Sequence, residues 1–176
     1  MMNILVTYAS KHNATAEIAG VISDELRTAG FPVVSMPVSQ VKDLTAYDVV
    51  VLGSAVYMGN WMAEAASFLK ANETDLATRH VWLFSSGPTG EGDPNELMKG
   101  WNFPESLEDV ADRVGPYQVK LFGGRVDFST LNWGERAILR MVKPPRGDFR
   151  DWDDIHAWAQ HIAAVLNRMA TPEPNN

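Results

Sequence analysis

Residues 3–8 (NILVTY) and the polar stretch that follows them, residues 9–15 (ASKHNAT), decide the fold of this chain. The first stretch is short, apolar and β-branched, which is typical of a buried strand. Apolar residues then recur at helical spacing until Gly30; they are Ile18, Ala19, Ile22 and Leu26. A strand, a polar loop and a helix start together form an anion site, because backbone N–H groups and the positive end of the helix dipole meet at one point.

We interpret the polar loop as a binding site for a phosphate group. Ser10 and Thr15 supply hydroxyls, Lys11 supplies a positive charge, and Asn13 tolerates left-handed backbone. The alternative is an ordinary connection between a strand and a helix with a polar cap. The loop matches neither G-x-x-x-x-G-K-[ST] nor G-x-G-x-x-G, so a small phosphate monoester fits better than a nucleoside triphosphate or a dinucleotide. The loop residues predicted to bind the cofactor are Ser10, Lys11, His12, Asn13, Ala14 and Thr15.

The composition is that of one ordinary globular domain. The 176 residues are 45% hydrophobic and 21% charged, and no apolar run is long enough to span a bilayer. The absence of cysteine excludes disulfides, thiol catalysis and thiolate metal sites. Four scattered histidines predict no metal site, and the net charge of −7 argues against nucleic acid as a partner. Without a recognisable signal peptide, we expect a cytoplasmic protein.

Strands and helices alternate along the rest of the chain. Further strands are predicted at residues 31–36, 47–53, 80–85 and 118–122, and further helices at about 60–71, at 105–114 and from Asp151 onward, with Asp154 completing an approximate capping box. This pattern predicts an α/β domain over residues 1–168, a three-layer, doubly wound, five-stranded parallel sheet. The expected strand order is 2-1-3-4-5, with ligands beyond the carboxyl ends of strands 1, 3 and 4. Residues 169–176 are expected to form a disordered tail.

The loops after the third and fourth strands are also unusual, as that geometry requires. Residues 54–61 (SAVYMGNW) are mostly apolar with two aromatics, and residues 86–90 (SGPTG) are small and rich in backbone donors. Together with the phosphate loop they suit a flat heteroaromatic ring that carries a phosphate, as in flavin mononucleotide (FMN). Tyr57 is predicted to stack on the ring, whereas Trp61 lies in phase with the following helix and favours a core position. The predicted cofactor contacts here are Ser54, Ala55, Val56, Tyr57, Met58, Gly59, Ser86, Gly87, Pro88, Thr89 and Gly90, with helix or turn capping as the alternative for the two serines.

Three stretches of the sequence carry a resemblance to a known family; they are residues 8–15, 53–59 and 122–158. Over about residues 3–168 the chain resembles the flavodoxin superfamily, and it is most similar to the branch containing menaquinone-dependent protoporphyrinogen dehydrogenase. Asn13 stands where the family's S/T-x-x-G-x-T phosphate loop usually has glycine. The resemblance implies that residues 10–15 hold the FMN phosphate, while residues 55–59 and 86–90 flank the isoalloxazine.

Residues 123–150 form an insertion between the fifth strand and the last helix, and we predict that it contains an extra helix. Its pattern is similar to the extra segment of the dehydrogenase branch. Five of the 15 basic residues lie in its residues 133–150; they are Arg136, Arg140, Lys143, Arg146 and Arg150. Residues 133–150 would suit an anionic membrane surface or a carboxylate-bearing porphyrin. The alternative is an ordinary surface helix with a solvated charged face.

The resemblance implies an FMN-dependent oxidoreductase, with protoporphyrinogen IX as a candidate substrate and a quinone as electron acceptor. A location at the inner face of the membrane would accompany that reaction. The alternative is a flavodoxin electron carrier that exchanges electrons with a redox protein. A phosphoacceptor receiver domain of the same topology is excluded, because Thr7-Tyr8 and Gly53-Ser54 stand where it needs acidic residues. No residue is assigned a catalytic role, since the electron chemistry belongs to the flavin.

Overall fold

A computed structural model describes residues 1–126, 133, 134, 136, 137 and 145–170. Five parallel strands form the central sheet in the order β2-β1-β3-β5-β6. They are β1 (Ile4–Ala9), β2 (Val33–Pro37), β3 (Val49–Tyr57), β5 (His80–Ser86) and β6 (Gln118–Phe122), and β4 (Asn60–Trp61) pairs antiparallel with β3. Since β5 and β6 are the fourth and fifth predicted strands, the predicted order 2-1-3-4-5 is confirmed.

Helices cover both faces of the sheet. They are α1 (Ala14–Thr28), α2 (Ala63–Ala71), α3 (Glu73–Leu76), α4 (Pro94–Leu97), α5 (Glu105–Val114) and α6 (Trp152–Ala170), with a 3-10 turn at Val38–Gln40. The apolar run of β3 supplies both cores because its side chains alternate between faces. Val49 and Val51 join the core under α1 and α6, whereas Val50 and Leu52 join the core under α2 and α5. The predicted three-layer arrangement is therefore confirmed.

The boundaries of β3 and α2 differ from the predicted ones. β3 continues four residues beyond Gly53, because Ala55 still pairs with β5 and the strand then turns back into a short hairpin with β4. The helix predicted from about Asn60 begins at Ala63 instead, since Asn60 and Trp61 belong to that hairpin. The short helices α3 and α4 were not predicted, whereas the predicted bounds of α5 and β6 coincide with the observed ones.

The last helix has the predicted N-terminal cap. Oδ1 of Asp151 accepts the backbone N–H of Asp154 at 3.0 Å. The helix continues to Ala170, so it includes the first two residues of the predicted tail, and residues 171–176 lie outside the described residues. Within the described part of the chain, no helix combines the length and apolarity needed to cross a membrane.

The two ends of the insertion meet in a small antiparallel sheet. β7 (Arg125–Val126) pairs with β8 (Gly147–Asp148), in register Arg125 with Asp148. We refer to residues 123–126 and 147–150 as the insertion stem. Of the helix predicted within the insertion, the four described residues 133, 134, 136 and 137 are helical, and the remainder lies outside the described residues.

Candidate cofactor site

The three predicted site loops follow adjacent strands and leave the sheet at one level. The register pairs Ala9 with Ser54 across β1 and β3, and it pairs Ala55 with Ser86 across β3 and β5. Each of these residues lies at or near the carboxyl end of its strand. The strand order therefore brings the loop of residues 10–15, the β3–β4 hairpin and the loop of residues 86–90 to the same edge, where an open α/β sheet binds its ligands.

Asn13 has the left-handed backbone that its residue type predicts. Its φ is 62° and its ψ is −9°, and it is the N-cap residue of α1. The side chain makes no capping hydrogen bond to the helix. The first N–H groups of α1 are thus not capped by Asn13, and the positive end of the helix dipole lies directly after the loop.

Thr15 supplies a hydroxyl that matches a phosphate ligand. The residue is 1% exposed, and among the described residues its Oγ1 has no hydrogen-bond partner. A buried hydroxyl without a partner costs about 1–3 kcal/mol. An oxygen of a bound phosphate would accept this hydrogen bond, in the same place where the helix dipole favours negative charge. The loop therefore fits the phosphate group predicted from the sequence.

The tip of the β3–β4 hairpin presents two large side chains to solvent. Met58 and Gly59 have φ of 50° and 76°. Positive φ at both central residues is typical of the two-residue hairpin turn whose twist matches that of the flanking strands. Met58 is 98% exposed and Tyr57 is 48% exposed. A left-handed conformation costs a residue with a side chain about 1–2 kcal/mol. The exposed, strained methionine makes the tip a candidate ligand contact, and residues 54–57 are strand rather than the predicted loop.

Hydrogen bonds of Ser54 and Trp61 stabilise the hairpin. The buried Oγ of Ser54 accepts the N–H of Met62 at 3.0 Å and donates to the carbonyl of Ala55 at 2.8 Å. Trp61 is 5% exposed and donates from Nε1 to Ser85 at 2.9 Å. The core position favoured for Trp61 is thereby confirmed, whereas the predicted cofactor contact of Ser54 stays a prediction.

The loop of residues 86–90 is attached to the insertion stem. Ser86, the last residue of β5, is buried and donates from Oγ to the carbonyl of Gly123 at 3.4 Å. The N–H of Gly124 donates to the carbonyl of Pro88 at 2.8 Å. A Cβ on Gly124 would lie 2.7 Å from the carbonyl oxygen of Gly87, so this approach requires glycine. The stem therefore fixes the position of this loop.

Arg150, at the end of the stem, reaches the start of α1. Its side chain is 1% exposed. Nε and Nη2 bind the two carboxylate oxygens of Asp148 at 2.7 and 2.6 Å. Nη1 donates to Oε2 of Glu17 at 2.7 Å and to the carbonyl of Ala14 at 3.0 Å. The guanidinium also lies 4.4 Å from the ring centroid of Trp152. Every nitrogen of this buried guanidinium therefore has an acceptor.

Arg125, on the opposite segment of the stem, binds the same helix turn. Nη1 lies 3.0 Å from both carboxylate oxygens of Glu17, and Nη2 donates to the carbonyl of His12 at 3.2 Å. Burial by itself raises the pKa of Glu17, but the hydrogen bonds and charges of both arginines outweigh it and hold that pKa below its usual value. The hydrogen bond from Arg150 likewise lowers the pKa of Asp148. Both carboxylates are therefore charged near neutral pH.

This charge cluster was not predicted from the sequence, and Arg150 was expected to have a different role. Arg150 was predicted to be among the basic residues available to a membrane or a porphyrin, and its buried ion pairs contradict that prediction. Glu17 and Arg150 are 133 positions apart, so no local pattern could have paired them. No recognisable sequence motif includes Arg125, Glu17 or Asp148.

A cleft of about 680 Å³ lies between residues 90–95, β6 and the insertion stem. Lys120 and Asp154, whose Nζ and Oδ1 are 2.8 Å apart, contribute to its walls. Glu91 and Asp93 also line it, and both residues are exposed. Among the residues that the structure describes, no cluster of histidine and acidic side chains is placed to hold a metal ion.

Solved structures of several redox proteins share this fold. A short-chain flavodoxin associated with a non-canonical PDU bacterial microcompartment superposes with a TM-score of 0.64 at 16% identity, over 97% of this chain and 100% of that one. A flavodoxin from Streptococcus pneumoniae gives a TM-score of 0.59 at 16% identity, over 95% of this chain and 99% of that one. The rubredoxin oxygen:oxidoreductase of Desulfovibrio gigas gives 0.64 at 13% identity. That match covers 97% of this chain but only 37% of the larger protein.

Family membership follows from the sequence itself. Among curated proteins, none matches the chain by sequence. The family described as flavodoxin domain, however, matches residues 5–153, which include all three site loops and both sides of the insertion stem. The chain therefore belongs to the flavodoxin domain family, and this membership implies FMN as its cofactor.

Proposed function

We propose that this chain is an FMN-dependent oxidoreductase in which residues 10–15 hold the phosphate of the cofactor. The observation that carries the proposal is the buried hydroxyl of Thr15, which has no partner among the described residues and lies beside the left-handed Asn13 at the start of α1. Backbone N–H groups, the Thr15 hydroxyl and the helix dipole all favour an anion at that point.

The hairpin tip and the loop of residues 86–90 would flank the isoalloxazine. Tyr57 offers an aromatic face, and Met58 offers a polarisable apolar side chain. The short loop after β5 offers backbone donors and acceptors to the polar edge of the ring. When bound, the flavin supplies the capacity to accept and donate electrons; the chain's own residues bind it, orient it and limit its contact with water.

The first candidate partner is another redox protein. Residues 91–96, directly after the loop of residues 86–90, carry three exposed acidic groups and no basic one; they are Glu91, Asp93 and Glu96. An acidic rim beside the cofactor would steer a basic partner to the site. The basic residues of the stem do not oppose this, because Arg125 and Arg150 are already paired with Glu17 and Asp148.

A second candidate is the oxidation of protoporphyrinogen with electrons passed to a quinone. It is favoured by large exposed apolar side chains, Met58 at the hairpin tip and Trp133 in the insertion, which are 98% and 88% exposed. Such side chains suit a flat apolar substrate or contact with a membrane surface. Under this proposal residues 133–150, apart from the buried Arg150, would face that surface.

The experiment that tests the proposal is titration of the purified apoprotein with FMN, followed by absorption spectroscopy and calorimetry. We expect a yellow complex with a dissociation constant at or below micromolar, and much weaker binding of riboflavin, which lacks the phosphate. Failure to bind FMN would refute the proposal. Anaerobic turnover of protoporphyrinogen with a quinone would then favour the second candidate. Salt-sensitive electron exchange with a basic redox protein would favour the first.

A further inference from the structure

We infer that Arg125 and Arg150 are positioning residues, with which the insertion stem fixes the shape of the phosphate loop. This inference rests on the proposed function, because it concerns how residues 10–15 are prepared for a phosphate. Both arginines come from outside the loop, and each donates to one of its carbonyl oxygens. Neither residue would touch the phosphate itself; each would act through the loop backbone.

The stem brings the two arginines together although they lie at opposite ends of the insertion. β7 and β8 pair Arg125 directly with Asp148, and Asp148 in turn binds the guanidinium of Arg150. Glu17 then accepts hydrogen bonds from both arginines. The first turn of α1 is thus attached to both segments of the stem through a single carboxylate.

Peptide geometry explains what the two carbonyl contacts achieve. In a trans peptide the C=O and the following N–H point in opposite directions. Arg125 holds the carbonyl of His12, so the N–H of Asn13 points away from the arginine. Arg150 holds the carbonyl of Ala14, so the N–H of Thr15 points away from Arg150, toward the helix start. Two peptides of the loop are therefore oriented before a ligand arrives.

The arginines also neutralise a carboxylate that would oppose an anion. Glu17 lies in the first turn of α1, close to where the phosphate would bind. Its charge is balanced by Arg125 and Arg150, and the charge of Asp148 is balanced within the same cluster. The cluster carries two positive and two negative charges, so its main effect at the loop is geometric rather than a net attraction.

The stem reaches a second site loop as well. Gly124 donates to Pro88, and the N–H of Phe149 donates to the carbonyl of Gly124 at 3.0 Å. One short antiparallel sheet therefore contacts both the phosphate loop and the loop of residues 86–90. This arrangement assigns to the insertion a role in shaping the cofactor site itself.

The test compares the affinity for FMN with the affinity for riboflavin in Arg125→Gln. We expect the FMN affinity of the apoprotein to fall about tenfold while the riboflavin affinity changes little, because the loss concerns the phosphate loop alone. Arg113→Gln is the matched control, since it removes an arginine bound to Glu73 on a different face. It should leave both affinities unchanged. Arg150→Lys supplies a second variant that keeps the buried charge but loses the paired contacts.

Measurements at 0.15 M and about 1 M salt separate positioning from simple charge attraction. At about 1 M salt the screening length is about 3 Å, so an effect through space would disappear while a change of loop shape would persist. If the ratio of the FMN affinity to the riboflavin affinity is the same in Arg125→Gln and Arg150→Lys as in the wild type, the inference is overturned. The proposed function would still stand. A loss that vanishes at high salt would overturn it too. If the wild type itself binds no FMN, the proposed function fails and the inference fails with it.

Discussion

Nη1 of Arg150 lies 2.7 Å from Oε2 of Glu17, and this contact joins the end of the insertion to the first turn of α1. Arg150 is almost completely buried, whereas the Glu17 side chain is 42% exposed. The contact therefore matters more to the arginine, which has no water to replace a lost acceptor. It makes the stability of the insertion stem depend on a residue in the first turn of α1.

Replacement of Glu17 by glutamine should destabilise the fold. Glu17→Gln removes the charge that both Arg125 and Arg150 contact, and we expect a loss of about 1–3 kcal/mol. Asp24→Asn is the control, because its partner Arg27 is on the same helix but exposed, and it should cost less than about 0.5 kcal/mol. Urea denaturation of the apoproteins measures both. Equal effects of the two substitutions would contradict the role given to Glu17.

The same ion pairs predict a pH dependence of stability. The pKa values of Glu17 and Asp148 are lowered in the folded state by their arginine partners. Their contribution is therefore fully present above the unfolded pKa values and is lost as the pH falls through the folded ones. The stability difference between wild type and Glu17→Gln should be constant down to about pH 5 and shrink toward pH 3. Thermal unfolding at each pH measures it, and a difference that grows on acidification would contradict the assignment.

Asn13 offers a test of the left-handed loop. Asn13→Gly should leave stability and FMN affinity close to those of the wild type, because glycine adopts a φ of 62° freely. Asn13→Ala should cost about 1–2 kcal/mol and weaken FMN binding, since alanine adopts left-handed backbone less readily than asparagine does. Denaturation and calorimetry measure the two effects. Identical behaviour of the glycine and alanine variants would show that the backbone conformation does not matter.

We expect Met58 to lower the stability of the fold and to contribute a contact to the bound flavin. Met58→Asn should raise stability by about 0.5–1 kcal/mol, because asparagine suits the first position of this hairpin turn. The same substitution should weaken the binding of both FMN and riboflavin if the tip contacts the ring. Lys99→Asn is the control, since Lys99 is an exposed residue with a φ of 53° outside the site loops. Lys99→Asn should raise the stability and leave the affinities for FMN and riboflavin unchanged.

Gly124 tests the contact between the stem and the loop of residues 86–90. Gly124→Ala would place a Cβ 2.7 Å from a backbone oxygen, so we expect a loss of about 2–3 kcal/mol and weaker flavin binding. Gly20→Ala is the control, because it lies in α1 with open space around the new methyl group. It should stabilise the protein by about 0.5–1 kcal/mol. Denaturation and flavin titration of both variants measure the contrast, and a tolerated Gly124→Ala would contradict the close approach.

Much of the fold could be predicted because its signals are local. The apolar run of β3, the amphipathic spacing of α1 and α5, and the cap at Asp151 each depend on neighbouring residues alone. The left-handed backbone of Asn13 could also be predicted, because few residues other than glycine tolerate it. The hairpin of β3 and β4 could not be predicted, since Met58 is a poor residue for such a turn and gives no turn signal.

The sequence by itself determined the strand order, the polar loop after β1 and the family, because periodicity and turn chemistry act over short distances. The tertiary structure decided which charges meet. Only the folded chain brings Arg125 and Arg150 against Glu17, removes Arg150 from the basic surface and joins the insertion stem to two site loops. The physical reason is that ion pairs and close glycine contacts depend on distance in space, which the spacing of residues along the chain does not record.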